Sequence, residues 1–422
     1  MNRRGRALTV FWLGTAAVFA SSAAIAAPIV GSDAGWSTDK RFIHGPEGLD
    51  YSLRTEVASD GRAVVTLGRD ALERKCVERT SWLRTAAGRW RAGAPILVRQ
   101  NEHRYLVADA RLAWVVRSCS GGVELRYATG NKWDEPAVLV GGPPAIQLRA
   151  GMNADGLVAL ARPRSGSIRV DSARPGDGWA AAPSLGTPDA TAVVDHVSVT
   201  NDDQMVVVWH VGPNMSVSTR ATGAWSTVAV PGSMSITRVY VGSDHQGHIV
   251  IARAVGYELY VSVRAPDGTV SGPEHLTDAL AYRCSYVCAA VEVRPDGNAF
   301  VAWASTRALT LGRRDVDGTW TTEVVDPQRF VQYVALDVHD DGSVVLADEP
   351  MDTKAVWACG WAAPCERLAY PPRSNSAEFA AGPGGTVYAV AGARTCDDGC
   401  DFERLGYFVH DGLDRASDGW VE

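Results

Sequence analysis

The stretch "VEVRPDGNAFVAWAS", Val291 to Ser305, decides how this chain folds. Its left half alternates apolar and polar residues, as a strand with one buried face does. Pro295-Asp296-Gly297 then makes a tight turn, because glycine accepts positive φ and aspartate bonds its own backbone. The right half is nearly all apolar and reads as a strand covered on both faces.

Seven more stretches share this pattern. They are "EVASDGRAVVTL" (56–67), "VADARLAWVV" (107–116), "MNADGLVALA" (152–161), "VTNDDQMVVVWH" (199–210), "VGSDHQGHIVIA" (241–252), "DVHDDGSVVLA" (337–347) and "AGPGGTVYAVA" (381–391). Aligned on Gly61, Arg111, Gly156, Gln204, Gly247, Gly297, Gly342 and Gly385, they recur every 43 to 50 residues. After each buried strand comes a shorter alternating strand, a second turn and usually a tryptophan, as in "LTLGRRDVDGTW" (309–320). A period in the forties with strand patterning predicts an all-β propeller of four-stranded blades, A to D. Eight blades are expected. Seven is the alternative, because the second and fourth copies lack a glycine at the aligned turn position. "AGWSTDKRF" (34–42) reads as a D strand with no A, B or C before it, and the eighth repeat lacks a D strand of its own. An N-terminal strand that completes the last blade removes exposed sheet edges.

With 422 residues, 46% hydrophobic and 21% charged, the composition is that of a globular protein. A net charge of -7 gives no electrostatic reason to expect nucleic acid as a partner. "MNRRGR" followed by an uncharged apolar run and Ala24-Ile25-Ala26 reads as a secretory signal peptide over 1–26. One propeller domain then spans 27–422. No second apolar run is long enough to span a bilayer, so the expected product is secreted, extracellular, not membrane-inserted and monomeric. Eight cysteines suit that compartment. Cys284 with Cys288, Cys359 with Cys365, and Cys396 with Cys400 are local pairs, leaving Cys76 and Cys119 to join by elimination. Zinc is the alternative use of cysteine, but these spacings do not form the usual pairs of half-sites.

The A–B and C–D turns read as short hairpins on one face, with longer loops on the other. All eight cysteines are expected on the long-loop face. Asp348 and Glu349, on the loop 347–367, are candidate ligand contacts there. Glu56, Glu292 and Asp337 each lie five positions before their turn glycine, with Glu378 nearby in the pattern. In a closed ring these acids form an arc beside the channel. Glu56, Glu292 and Asp337 are candidate catalytic carboxylates and candidate ligands for Ca²⁺, although no cofactor is required, and Glu378, His196 and His210 are candidate ligand contacts. Solvation or separate ion pairs with Arg54 or Arg294 is the plain alternative. His196 and His210 are expected to be cross-strand neighbours that, with Asp195, are able to transfer protons. Asp244-His245-x-x-His248 has metal-type spacing but reads as a surface hairpin. Arg84, Arg174, Arg220, Arg264 and Arg314 recur before C–D turns, four of them followed by a tryptophan. Repetition at one position points to structure, with arginine stacked on indole and bonded to turn carbonyls; repeated sugar sites are the alternative.

"RDVDGTW" (314–320) resembles the Asp-box of sialidase-like propellers, although Gly318 is out of register with the box and no serine opens it. The sialidase Phe/Tyr-Arg-Ile-Pro motif is absent from the sequence, so the resemblance supplies no catalytic residue. The "DG … strand … W" blades also resemble bacterial propeller lectins. That likeness implies a non-catalytic protein presenting a disulfide-ordered loop face to a glycan or an extracellular protein. The alternatives are a polysaccharide-acting hydrolase or lyase using the channel carboxylates, and a structural envelope component.

Overall fold

The opening stretch folds as its pattern requires. Strand Ala289–Val293 pairs antiparallel with Ala299–Ala304, whose six residues are all buried. Between them Gly297 takes φ 84°, and its N–H donates to the Arg294 carbonyl. The Asn298 N–H donates to Asp296 Oδ1 at 3.0 Å, which holds the turn closed. Leu309–Arg314 and the partly exposed Trp320–Asp326 complete the sheet in the order A, B, C, D.

The computed structural model describes residues 36–42, 50–70, 76–139, 148–280, 288–327, 334–348, 355–368, 376–395 and 401–410, apart from scattered positions within these spans. All belong to one unit, Gly31–Glu422. The signal-peptide residues 1–26, together with Cys284, Glu349, Cys396 and Cys400, lie outside the described residues. So does the side chain of Asp348, whose backbone pairs with Val334.

Among the described residues the fold is all-β, with one 3-10 turn at Pro383–Gly385. The strands form seven hydrogen-bonded sheets, five of four strands, one of five and one of nine. The nine-stranded sheet holds the first two repeats. Strand Ile96–Ala108 pairs first with Cys76–Arg84 and then, after a bulge, with Arg111–Ser118. It therefore serves as an outer strand of repeat one and the innermost strand of repeat two. Counting sheets gives seven units, and counting repeats gives eight. Each innermost strand touches the next, and Ser376–Ala381 of the last repeat touches Asp50–Val57 of the first. Trp36–Phe42 pairs antiparallel with Asp401–His410, completing the last sheet as its fourth strand.

The two repeats without a turn glycine still turn. Asp109 takes φ 46° and Asp203 takes φ 66°, a region that aspartate tolerates better than most residues. The turn residues are thus Asp109 and Asp203 rather than the aligned Arg111 and Gln204.

Apolar layers fill the spaces between neighbouring sheets, as where Val250 and Leu259 share a cluster with Val291, Phe300 and Trp303. Each such side chain stabilises the fold by about 1.5–3 kcal/mol. The recurring tryptophans bridge repeats at the outer edge. Trp133 Nε1 donates to Ser81 Oγ at 2.7 Å, Trp179 to the Ala137 carbonyl at 3.0 Å, Trp225 to the Pro183 carbonyl at 2.7 Å and Trp320 to Glu274 Oε2 at 2.6 Å. Each acceptor lies in the preceding repeat. Three of the arginines bond turn carbonyls as expected, Arg84 to Gly61 at 2.8 Å, Arg220 to Gly223 at 2.9 Å and Arg264 to Gly247 at 2.6 Å, whereas Arg174 pairs with Asp203 and Arg314 with Glu274. The ring contacts differ from expectation, since Arg84 lies over Tyr388 and Arg294 over Trp361.

Cys76–Cys119 and Cys359–Cys365 are disulfides, and Cys288 is also oxidised. They do not all share the long-loop face. Cys359 pairs in the ladder with Val344, just after an A–B turn, so its bridge to Cys365 spans a C–D turn on the short-turn face. The expected position of this loop, between B and C, is one strand too early.

Candidate functional site

Five positions before each turn residue, the innermost strands present one ring of equivalent sites. Repeats one, six and seven carry Glu56, Glu292 and Asp337; repeat two carries Arg104, and repeat four Ser198. The other three carry glycine or alanine. In two of them the glycine is dictated by packing. A Cβ on Gly151 would lie 2.4 Å from the Val197 carbonyl oxygen, and one on Gly242 would lie 2.6 Å from that of Val291. These close approaches set the next strand, so Gly242 fixes the backbone that carries Glu292.

The ring encloses a cavity of about 420 Å³ lined by Glu56, Arg104, His196, Ser243, Glu292 and Asp337, among others. Its wall also includes the turn residues Ser59, Asp109, His245, Pro295 and Asp340. The cavity therefore belongs to the short-turn face, opposite the long loops. The three predicted acids are brought together there.

The charges divide by side. The acids come from repeats six, seven and one, and the cations from repeats two and three, where Arg149 lies within electrostatic reach of Arg104. Burial raises the Glu292 carboxyl to about 8, helped by the charges of Asp337 and Glu56 and opposed by Arg104. Burial also raises Asp337, against the backbone N–H groups of Ala381 and Val338 that stabilise its charged form. The Ala381 N–H reaches Asp337 Oδ2 at 2.7 Å. Arg104 is lowered by burial and by Arg149. Burial with both guanidiniums holds His196 down to about 3, so its ring is neutral, and Nε2 lies 2.8 Å from Ser243 Oγ. Among the described residues, the side chains of Arg104 and Glu292 make no hydrogen bond or ion pair, although each lies within electrostatic reach of the other.

Other expectations need correction. His196 pairs across the ladder with Val208, not His210, because the hairpin is centred near Asp202, which sets His210 opposite Val193; a bulge takes up Asp195 between them. Asp195, in that bulge, meets His210 Nδ1 at 2.7 Å and raises its pKa, while His196 faces the channel. Glu378 shares its ladder position with Val390 and is not among the residues lining the cavity. Among the described residues, no group of three or more His, Cys, Asp or Glu side chains is placed to hold a metal ion. Asp244 is buried and accepts three backbone N–H groups of its own turn, with His248 Nδ1 at 2.5 Å. That pair is part of the hairpin.

The sequence pattern does not reveal Arg104 and Arg149. Placing the second turn at Arg111 shifts the count by two, so that Leu106 takes the place of Arg104. The signal is present in Asp109, a residue suited to positive φ.

No family model matches the chain, and no curated protein matches it. Among solved structures, the Dos1 propeller superposes with a TM-score of 0.55 at 9% identity, covering 88% of this chain and 96% of that one. The WD40 domain of SCAP from fission yeast superposes with a TM-score of 0.50 at 10% identity, covering 90% of this chain and 98% of that one. At such identities the likeness shows the architecture alone. The chain is a β-propeller.

Proposed function

We propose that this chain is a secreted, non-catalytic binding protein whose polar ligand enters the channel from the short-turn face. The observation that carries this reading is the pair Arg104 and Glu292. Two ionisable groups line one cavity, neither satisfied by the protein itself. A ligand that bonds both gains hydrogen bonds that the protein itself does not supply. A cavity of about 420 Å³ suits a small molecule, or one group presented by a glycan or an extracellular protein.

A thermal-shift screen of sugars, amino acids and simple anions tests this reading. A stabilising compound whose effect disappears in Arg104→Met supports it. Stabilisation equal in both proteins, or none from any compound, contradicts it.

One observation favours a polysaccharide-acting enzyme as the second reading. Glu292 is held protonated at neutral pH beside Asp337 and Glu56, as a general acid paired with a carboxylate would be. Release of reducing ends or unsaturated sugars from a polysaccharide panel, lost in Glu292→Gln, would establish it.

A further inference from the structure

We infer that the channel binds a zwitterion, a small molecule carrying an ammonium and a carboxylate at separate ends; this rests on the channel reading above and deepens it. Glu56, Glu292 and Asp337 enter the cavity from repeats one, six and seven, and Arg104, with Arg149 behind it, from repeat two, within electrostatic reach of Glu56 and Glu292. A lone cation entering here gains from the carboxylates but meets Arg104. A lone anion gains from Arg104 but leaves Glu292 protonated and gains nothing from the acidic side. A molecule with both charges bonds Arg104 through its carboxylate, while its ammonium favours the charged form of Glu292, which releases its proton and pairs with it.

The neutral part of the wall suits the same ligand. His196 and Ser243 bond each other and present no net charge to the cavity. The lining is polar, with backbone of successive innermost strands exposed in it, so it offers little to a purely apolar molecule. Protein interiors strengthen a charge-assisted hydrogen bond once water is displaced, and both ends of such a ligand would make one.

The test is isothermal titration of the full chain with 6-aminohexanoate, hexylamine and hexanoate, which share one carbon chain and differ in charge. Triglycine, added as a fourth probe, separates a peptide source from a free amino acid. The expected result is binding of 6-aminohexanoate or triglycine at least tenfold tighter than either singly charged probe, and at least tenfold weaker binding in both Arg104→Met and Glu292→Gln. Circular dichroism of each variant confirms that it folds. If hexylamine or hexanoate binds as tightly as the zwitterions, the inference falls; loss of that binding in Arg104→Met would leave the channel reading standing. Absence of binding by all four probes overturns the inference. Zwitterion binding unchanged in a folded Arg104→Met overturns both readings.

Discussion

The outer edge of each repeat and the wall of the channel are built from the same repeating unit, yet they treat it differently. At the edge one solution recurs. Trp133, Trp179, Trp225 and Trp320 each donate an indole N–H to the preceding repeat. In the channel one register position carries glutamate, arginine, serine, aspartate, glycine or alanine according to the repeat. Repetition, here in four of the eight repeats, marks what serves packing. Departure from it, at a site open to solvent and costly to charge, marks what the whole ring does. The repeats thereby act as one another's controls.

The contrast is sharpened by variants expected to affect one side alone. Trp114 is fully buried, 5.5 Å from Tyr105 and 5.7 Å from Trp133 between ring centroids. Trp114→Ala is expected to lower stability by about 3–5 kcal/mol in denaturant unfolding. Gly242→Ala places a methyl against the Val291 carbonyl and is expected to cost about 1–3 kcal/mol. It differs from the first variant in displacing Glu292, so it is expected to weaken channel binding in a chain that still folds. Trp225→Phe removes one hydrogen bond while keeping a ring, and about 1 kcal/mol is the expected loss. Calorimetry of that variant is expected to show unchanged ligand affinity; a tenfold change would break the division between edge and channel.

Much of this division is legible without coordinates. Gly61, Gly297 and Gly342 mark turns because a side chain is strained at φ near 80–90°, and counting back from them finds all three acids. The same counting fails where aspartate replaces glycine. At Asp109 it hides Arg104, and at Asp203 it moves Ser198 out of line. The face expected for Cys359 fails for another reason. The strand Ala355–Cys359 has five buried residues and no alternation, so nothing in its pattern marks where strand ends and loop begins. The cost of placing charges together in the channel arises between repeats. No reading of one repeat contains it.

Most depends on Glu292 being a carboxyl that its surroundings keep from charging. In the folded chain its pKa is about 8, above the ordinary value of 4.5. The folded state therefore holds a proton that the unfolded state has released between those pH values, and stability falls as pH rises through that window. Equilibrium unfolding of the wild type and Glu292→Gln between pH 4 and 9 reads this directly. The two are expected to start close at pH 4. The wild type then loses stability relative to the glutamine variant as pH rises, and the difference levels off above about pH 8. Parallel curves across the whole range would contradict a buried, proton-holding Glu292.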